Sequence, residues 1–186
     1  MTEHGPYSVR RARESDMDGA RSVMLDTFYH DFGVGYRPEW HADVIDIEGS
    51  YLREPRHALF VACKGDEVVA TTAVRATGPA SPPHPRWIAE KYAGPGTAQL
   101  FRVYVRPDHR RAGLARALVA MAVEFVAADP AYAALYLHTD TRVPGAEPFW
   151  RAVATEIHDA RDGDHRTPET VHFEIPLRRG AAPRVV

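Results

Sequence analysis

Apolar residues recur along this chain at two spacings, near 3.6 and near 2, and the switches between them divide it into short helices and strands. Tyr7–Ala12 alternates as a strand. Ser15 follows as a helix cap with Asp18 three residues on, and Met17, Ala20, Met24 and Phe28 share one face of the helix so started. After a Gly- and aromatic-rich turn from His30 to Arg37, the Pro38 start and the Trp40, Val44, Ile47, Tyr51 pattern predict a second helix over Pro38–Leu52. His57–Cys63 and Glu67–Ala76 are β-rich runs joined by Lys64-Gly65-Asp66 and predict an antiparallel hairpin. Thr77–Gly96 is broken by prolines and glycines, with room only for a short helix over Arg86–Tyr92. Such a loop inside a compact domain is more often functional than idle. Then come a strand over Gln99–Val105, a helix from Leu114 to Val126, a strand over Ala134–Thr139 and a short helix over Gly145–Val153. Strands over Glu156–Ala160 and Thr170–Leu177 follow, and Arg178–Val186 reads as a frayed tail.

Composition narrows the class. A chain of 186 residues fits one domain over residues 1–186, with its core between about residue 7 and residue 177. Hydrophobic residues at 45% with 26% charged residues describe a globular and not a disordered protein. The single cysteine, Cys63, excludes an internal disulfide and lies in the apolar run Ala58–Cys63, where a buried thiol in a reducing cytoplasm is expected. The N-terminus is polar and no apolar run nears the ~18 residues of a membrane span, so neither export nor membrane insertion is expected. A net charge of -2 gives no field for nucleic acid, so the local basic cluster Arg106–Arg116 needs its own explanation. The ten histidines show no H-E-x-x-H and there is no C-x-x-C, so no metal is expected. A G-x-S-x-G elbow and a G-x-x-x-x-G-K-[ST] loop are both missing.

The chemistry concentrates at Arg110-Arg111-Ala112-Gly113-Leu114-Ala115, between a strand and a helix. A helix N-terminus presents unpaired N–H groups and partial positive charge, and a glycine there lets an anion approach the backbone. Two arginines add mobile charge, so the turn suits a pyrophosphate.

The segment Val105 to Leu118 resembles the GNAT acyltransferases, whose pyrophosphate signature R/Q-x-x-G-x-G/A is matched by Arg110, Gly113 and Ala115. A preceding V-x-P, the strand before it and the amphipathic helix after it strengthen the likeness. The likeness extends over roughly Tyr7–Leu177, with its specific part in Leu100–Leu118. It implies an α/β GNAT fold: a mixed, mostly antiparallel sheet of six to seven strands, a V-shaped splay between two central parallel strands, and about four flanking helices. It further implies acetyl-CoA as cosubstrate and direct transfer of acetyl to a primary amine in a ternary complex. By position, the backbone at Val103, Tyr104 and Val105 would bond pantetheine. Arg110, Arg111, Ala112, Gly113, Leu114, Ala115 and Arg116 would hold the pyrophosphate, and Phe149 and Trp150 would line the cofactor. An amide near Val103 would polarise the thioester carbonyl. Dimers are frequent in the family, so a homodimer is a possible state.

The departures decide which residues act. Many members carry a glutamate base where this chain has Gln99, and a tyrosine acid where it has Trp150; neither replacement can do that work. Val143 stands for the usual asparagine, and Ala154-Thr155 for the usual Gly-Phe. On the strand Ala134–Thr139, period two puts Tyr136, His138 and Asp140 on one side, and His138 and Asp140 are the candidates for base or amine binding. A histidine base implies a rate that rises with pH near ~6.5. Tyr29, His30, Asp31, Tyr36, Trp40 and Glu48 combine aromatic walls with acids and suit a small cationic amine. The same site also fits acetylation of a protein N-terminus or lysine. The missing glutamate and tyrosine equally fit an acyl-CoA-binding sensor without catalysis.

Overall fold

In the computed structural model, which describes residues 2–163 and 169–177, the strands are β1 (Thr2–His4), β2 (Tyr7–Arg11), β3 (Ala58–Lys64), β4 (Glu67–Arg75), β5 (Thr97–Val105), β6 (Ala134–Asp140), β7 (Thr155–Asp159) and β8 (Thr170–Ile175). The helices are α1 (Met17–Asp26), α2 (Pro38–Ile45), α3 (Arg86–Lys91), α4 (Leu114–Ala128) and α5 (Ala146–Val153). The strands form one sheet in the order β1-β2-β3-β4-β5-β6-β8-β7, antiparallel throughout except for the parallel pair β5–β6. The expected fold class therefore holds, with eight strands in place of six or seven.

Both faces of the sheet are covered, which is why β3 reads as a continuous apolar run. Ala58, Phe60 and Ala62 face α4 with Leu114, Leu118 and Ala122, while Leu59, Val61 and Cys63 face α1 and α2 with Met24, Phe28, Val44 and Tyr51. Cys63 is buried, and burial raises its thiol pKa above the ordinary range. A third apolar group, Ile88, Tyr92 and Tyr136, seats α3 against β6. Among the described residues no helix is long and apolar enough to cross a membrane.

Local differences from the sequence reading have physical causes. The three-residue β1 pairs with β2 across Gly5, whose φ is +60, and so short a polar strand leaves no periodic signal. Helix α1 starts at Met17, with Asp16 and not Ser15 at its N-cap; the Asp16 carboxylate accepts the Arg13 N–H at 2.7 Å and so caps the 3-10 turn over Glu14–Asp16 that precedes the helix. The helix predicted over Pro38–Leu52 is broken. His41 leaves helical geometry (φ −127, ψ 17) to stack on Phe28 at 3.8 Å, and after Asp46 the chain makes a separate π-type turn over Glu48–Leu52. Val44, Ile47 and Tyr51 are buried as expected, but Trp40 is 63% exposed because His41 takes the inward place. The tail from Arg178 lies outside the described residues.

The decisive feature is at the centre. β5 and β6 pair only over Thr97–Gln99 with Ala134–Tyr136; beyond that β5 follows β4 to Val105 and β6 follows β8 to Asp140. The ladder to β4 slips between Thr71 and Ala73, where Arg102 adopts φ +53 and its carbonyl accepts a 2.8 Å bond from Thr71 Oγ1. The Arg102 side chain turns back to bond Asp43 at 3.0 and 2.6 Å and the Trp40 carbonyl at 2.8 Å, and Tyr51 donates to the same carboxylate. Burial alone would raise the Asp43 pKa; the hydrogen bond and charge of Arg102 override it and hold Asp43 below the usual carboxylate range.

Replacing Asp43 by alanine should strand the Arg102 charge and cost about 3–5 kcal/mol of stability, on the order of 10 °C in Tm. Calorimetry of Asp43→Ala beside the double variant Asp43→Ala, Arg102→Met checks this, with the smaller loss expected in the double variant, where no charge is stranded.

Candidate active site

The turn between β5 and α4 is built by two left-handed residues, Arg111 at φ +62 and Gly113 at φ +76, the latter being the N-cap of α4. This alternation faces successive amides outward, and the backbone N–H groups of residues 111 to 116 find no acceptor among the described residues. Six unpaired donors at the positive end of a 15-residue helix make a nest for an anion. Arg110 donates to the Val105 carbonyl at 3.0 Å and to Asp31, so its charge is met by a carboxylate that a phosphate would have to displace. Behind the turn, His4 of β1 reaches the Ala112 carbonyl at 2.7 Å, and a Cβ on Gly113 would lie 2.9 Å from His4 Nε2.

From the turn, the β5 edge facing the splay runs down to Gln99, where the strands rejoin. Gln99 is buried, and its Nε2 lies 3.4 Å from Nδ1 of the half-buried His138. Two histidines unforeseen from the sequence crowd that ring: His84, from the loop before α3, at 4.2 Å between centroids, and His172, from β8, at 6.2 Å. His172 Nδ1 lies 2.7 Å from the Tyr136 hydroxyl, and its Nε2 is buried with no partner. Burial, then mutual repulsion of the rings, moves His138 down to about 3 and His172 to about 4, while burial lowers His84. In α2, stacked on Phe28, His41 is moved by burial to about 4, and Arg102 adds to the lowering of both His41 and His138. The site is lined by neutral imidazoles.

Tyr136 and His138 share one side of β6 and approach at 6.0 Å, as the period-two reading requires. Asp140 has its carboxylate gripped by Arg142, whose Nε lies 2.9 Å from Oδ1 and Nη2 2.5 Å from Oδ2, and it also accepts the Arg142 N–H at 3.0 Å, so its charge is paired two residues away. Of the residues expected to bind substrate, Tyr29 and Trp40 are exposed aromatics and Tyr36 lies 6.1 Å from His41. Asp31 is paired with Arg110 and Glu48 with Arg53. Trp150 is buried in the core beneath the sheet with Phe149 against it at 4.8 Å. The rate limb near pH 6.5 is not supported, since His138 stays neutral far below that value. His172 was open to discovery by its alternation with Val171 and Phe173, whereas His84 sits in a proline-rich loop that carries no period.

Residues 22–154 match the model of the acetyltransferase (GNAT) family. The chain belongs to the GNAT acetyltransferases. It is 35% identical over 141 residues, 74% of its length, to rat N-acetyltransferase 8, covering 58% of that protein. The chain spans about half the length of the curated relatives it matches. Among solved structures it superposes on a GNAT acetyltransferase from Staphylococcus aureus with a TM-score of 0.69 at 14% identity, over 92% of this chain and 99% of that one. YncA from Salmonella typhimurium, solved with acetyl-CoA, gives 0.67 at 13% identity over 98% and 100% of the two chains. For this GNAT protein the donor nest and the open β5 edge fit an acyl-CoA: the first supplies the N–H groups a pyrophosphate needs, the second those a pantetheine amide needs. The described residues hold no group of three or more His, Cys, Asp or Glu suited to a metal ion.

Two outcomes follow from this geometry. Gly113→Val should weaken CoA binding at least about tenfold and also lower Tm, because the turn needs a positive φ and a Cβ meets His4. Adding His4→Ala should restore part of the Tm but not the affinity, and titration calorimetry reads both; unchanged affinity in a folded variant would remove the turn from the cofactor site. The lowered histidines set the pH dependence of stability. Since the folded state binds fewer protons than the unfolded chain, stability should be complete above about pH 6.5 and be lost as pH falls toward 4. The paired aspartates, held below their usual range, add their losses only at lower pH. Tm should drop by several degrees from pH 7.5 to 5, and His172→Asn should flatten the slope.

Proposed function

We propose that the protein moves the acetyl group of acetyl-CoA to a primary amine of a small molecule, by direct attack in a ternary complex, in the cytoplasm. The observation that carries this reading is the line from the unpaired N–H nest at residues 111–116, along the open β5 edge, to Gln99 and His138 where the splay closes. Acetyl-CoA supplies the activated acyl group as a thioester. The nest and Arg110 hold its phosphates, and the β5 backbone at Val103–Val105 orients it and offers an amide to the carbonyl oxygen.

His138 then acts on the acceptor. A ring held near 3 cannot deprotonate an ammonium ion, so the acceptor must arrive as the free amine. Once nitrogen has bonded to the acyl carbon it becomes acidic, and the imidazole lone pair, or a water against it, takes the proton; the tetrahedral intermediate then collapses, the C–S bond breaks, and CoA leaves as the thiolate, which takes up a proton from the imidazolium or from water. Gln99, as an amide, can donate to Nδ1 or accept from it, and the second orientation leaves Nε2 open as the acceptor. The cationic character expected of the substrate has less support than the amine itself, because Asp31, Glu48 and Asp140 are each committed to an arginine.

Thiol release from acetyl-CoA across a panel of amines separates an enzyme from a non-catalytic acyl-CoA-binding protein. His138→Asn should lower kcat by about 10²–10⁴ with CoA affinity kept, and the wild-type rate should rise with pH along the ionisation of the amine, without a step near 6.5. Trp150→Phe, a core change, should keep the chemical step. Full turnover in His138→Asn would leave the ring a structural part.

A further inference from the structure

Charge around the closed end of the splay is balanced in pairs, with one exception. Arg102 is met by Asp43 and Asp140 by Arg142; Glu174 bonds Tyr92 and lies 3.7 Å from Lys91. The histidines between them are neutral. Arg75, at the end of β4, has no counter-charge of its own: it lies within electrostatic reach of Asp43, whose carboxylate is already bonded to Arg102. Its Nε is enclosed without an acceptor, its two Nη atoms are not enclosed, and none of the three makes a hydrogen bond or ion pair with another described residue. Its guanidinium carbon sits 5.7 Å from the centroid of Phe101, so the planar group is held against a ring and is not adrift in solvent.

Position gives this charge its meaning. Arg75 is the direct cross-strand partner of Gln99, so the two side chains leave the same face of the sheet as neighbours. Gln99 in turn reaches His138 at 3.4 Å. A fixed fork of unused donors therefore flanks the residue that flanks the proton acceptor. A guanidinium fork matches a carboxylate with two parallel bonds.

Building on the acyltransfer reading above, we propose that Arg75 recognises a carboxylate on the acceptor, which makes the substrate an amino acid or an amino-acid conjugate with a free amine, and not a polyamine or other polycation. Arg75 and His138 stand on the two strands that flank β5, with backbones roughly 10 Å apart across the sheet and Gln99 between them, so amine and carboxylate belong to one small molecule.

The test is a matched series on the full chain: phenylalanine, phenylalaninamide and phenethylamine as acceptors, with spermidine as the polycation, followed by thiol release from acetyl-CoA. Phenylalanine should exceed the other three in kcat/KM by at least about tenfold. Arg75→Gln should raise its KM by about 10- to 100-fold with kcat, Tm and CoA affinity nearly unchanged, and Arg75→Lys should recover only part, lacking the fork. Equal use of the acid, its amide and the bare amine, or an Arg75→Gln loss equal for all acceptors, overturns the assignment while leaving acyltransfer intact. If no amine is acetylated it is the acyltransfer reading that fails, and calorimetry with N-acetylphenylalanine and its amide then decides for Arg75: preference for the acid, lost in Arg75→Gln, supports the site, and equal or absent binding overturns it.

Discussion

The buried pair of Arg102 and Asp43 is the interaction on which the rest of the architecture depends. Arg102 holds a left-handed backbone in mid-strand, a conformation costing an ordinary residue about 1–3 kcal/mol, and it persists because its side chain is fixed at the far end. The kink at that residue accompanies the slip of the β4–β5 ladder, just beyond the point where β5 parts from β6. It also ties α2, through Asp43 and the Trp40 carbonyl, to the strand whose edge is open beyond Gln99. One ion pair therefore joins the strand edge, the cover above it and the gap beneath. Asp43 offsets the Arg102 charge only in part: the guanidinium still helps to lower His138, so the pair both shapes the site and acts on its titration.

At the other end of β5 the same economy of charge works through the backbone. The donor nest needs no side chain to bind an anion, and the Arg110 guanidinium is already shared with Asp31, which belongs to the π-helical turn after α1. Arg106 is likewise held, to Asp26 and Ser22 of α1. The basic cluster that stands out in the sequence is in part internal wiring between α1 and the turn, and the amides of residues 111–116, with the Arg111 and Arg116 side chains, have no acceptor among the described residues.

This division explains what was legible in the chain. The turn could be read because its requirements are local: a glycine at positive φ, a helix start and basic neighbours within six residues. β3 to β6 and α4 could be read because their period spans whole elements. The break of α2 at His41 could not, since it is decided by Phe28, which lies on another element, and by the Arg37 N–H captured by His41 Nδ1. β1 was hidden for the opposite reason: three polar residues hold a place only because Ala112 and Gly113, more than a hundred positions away, offer His4 a partner and a wall. His84 and Arg75 escaped because ring contacts and missing partners are properties of the assembled sheet. Asp140 follows the period on β6, and its ion pair with Arg142, two residues on, is a contact the period does not show.

The substitution that most departs from the family pattern, Gln99, acquires a reason from its neighbours. A glutamate there would stand directly across the ladder from Arg75 and beside His138. It would neutralise the first and, by its negative charge, draw a proton onto the second, so that the imidazole would be charged over more of the working range. The amide does neither. It leaves the Arg75 donors unused and keeps the three-histidine wall neutral, at the cost of a strong base. Under the proposed function, a site of that kind takes acceptors whose nitrogen is already free and holds them by a group other than the amine. The weak base and the unpaired arginine are two results of a single amide at position 99.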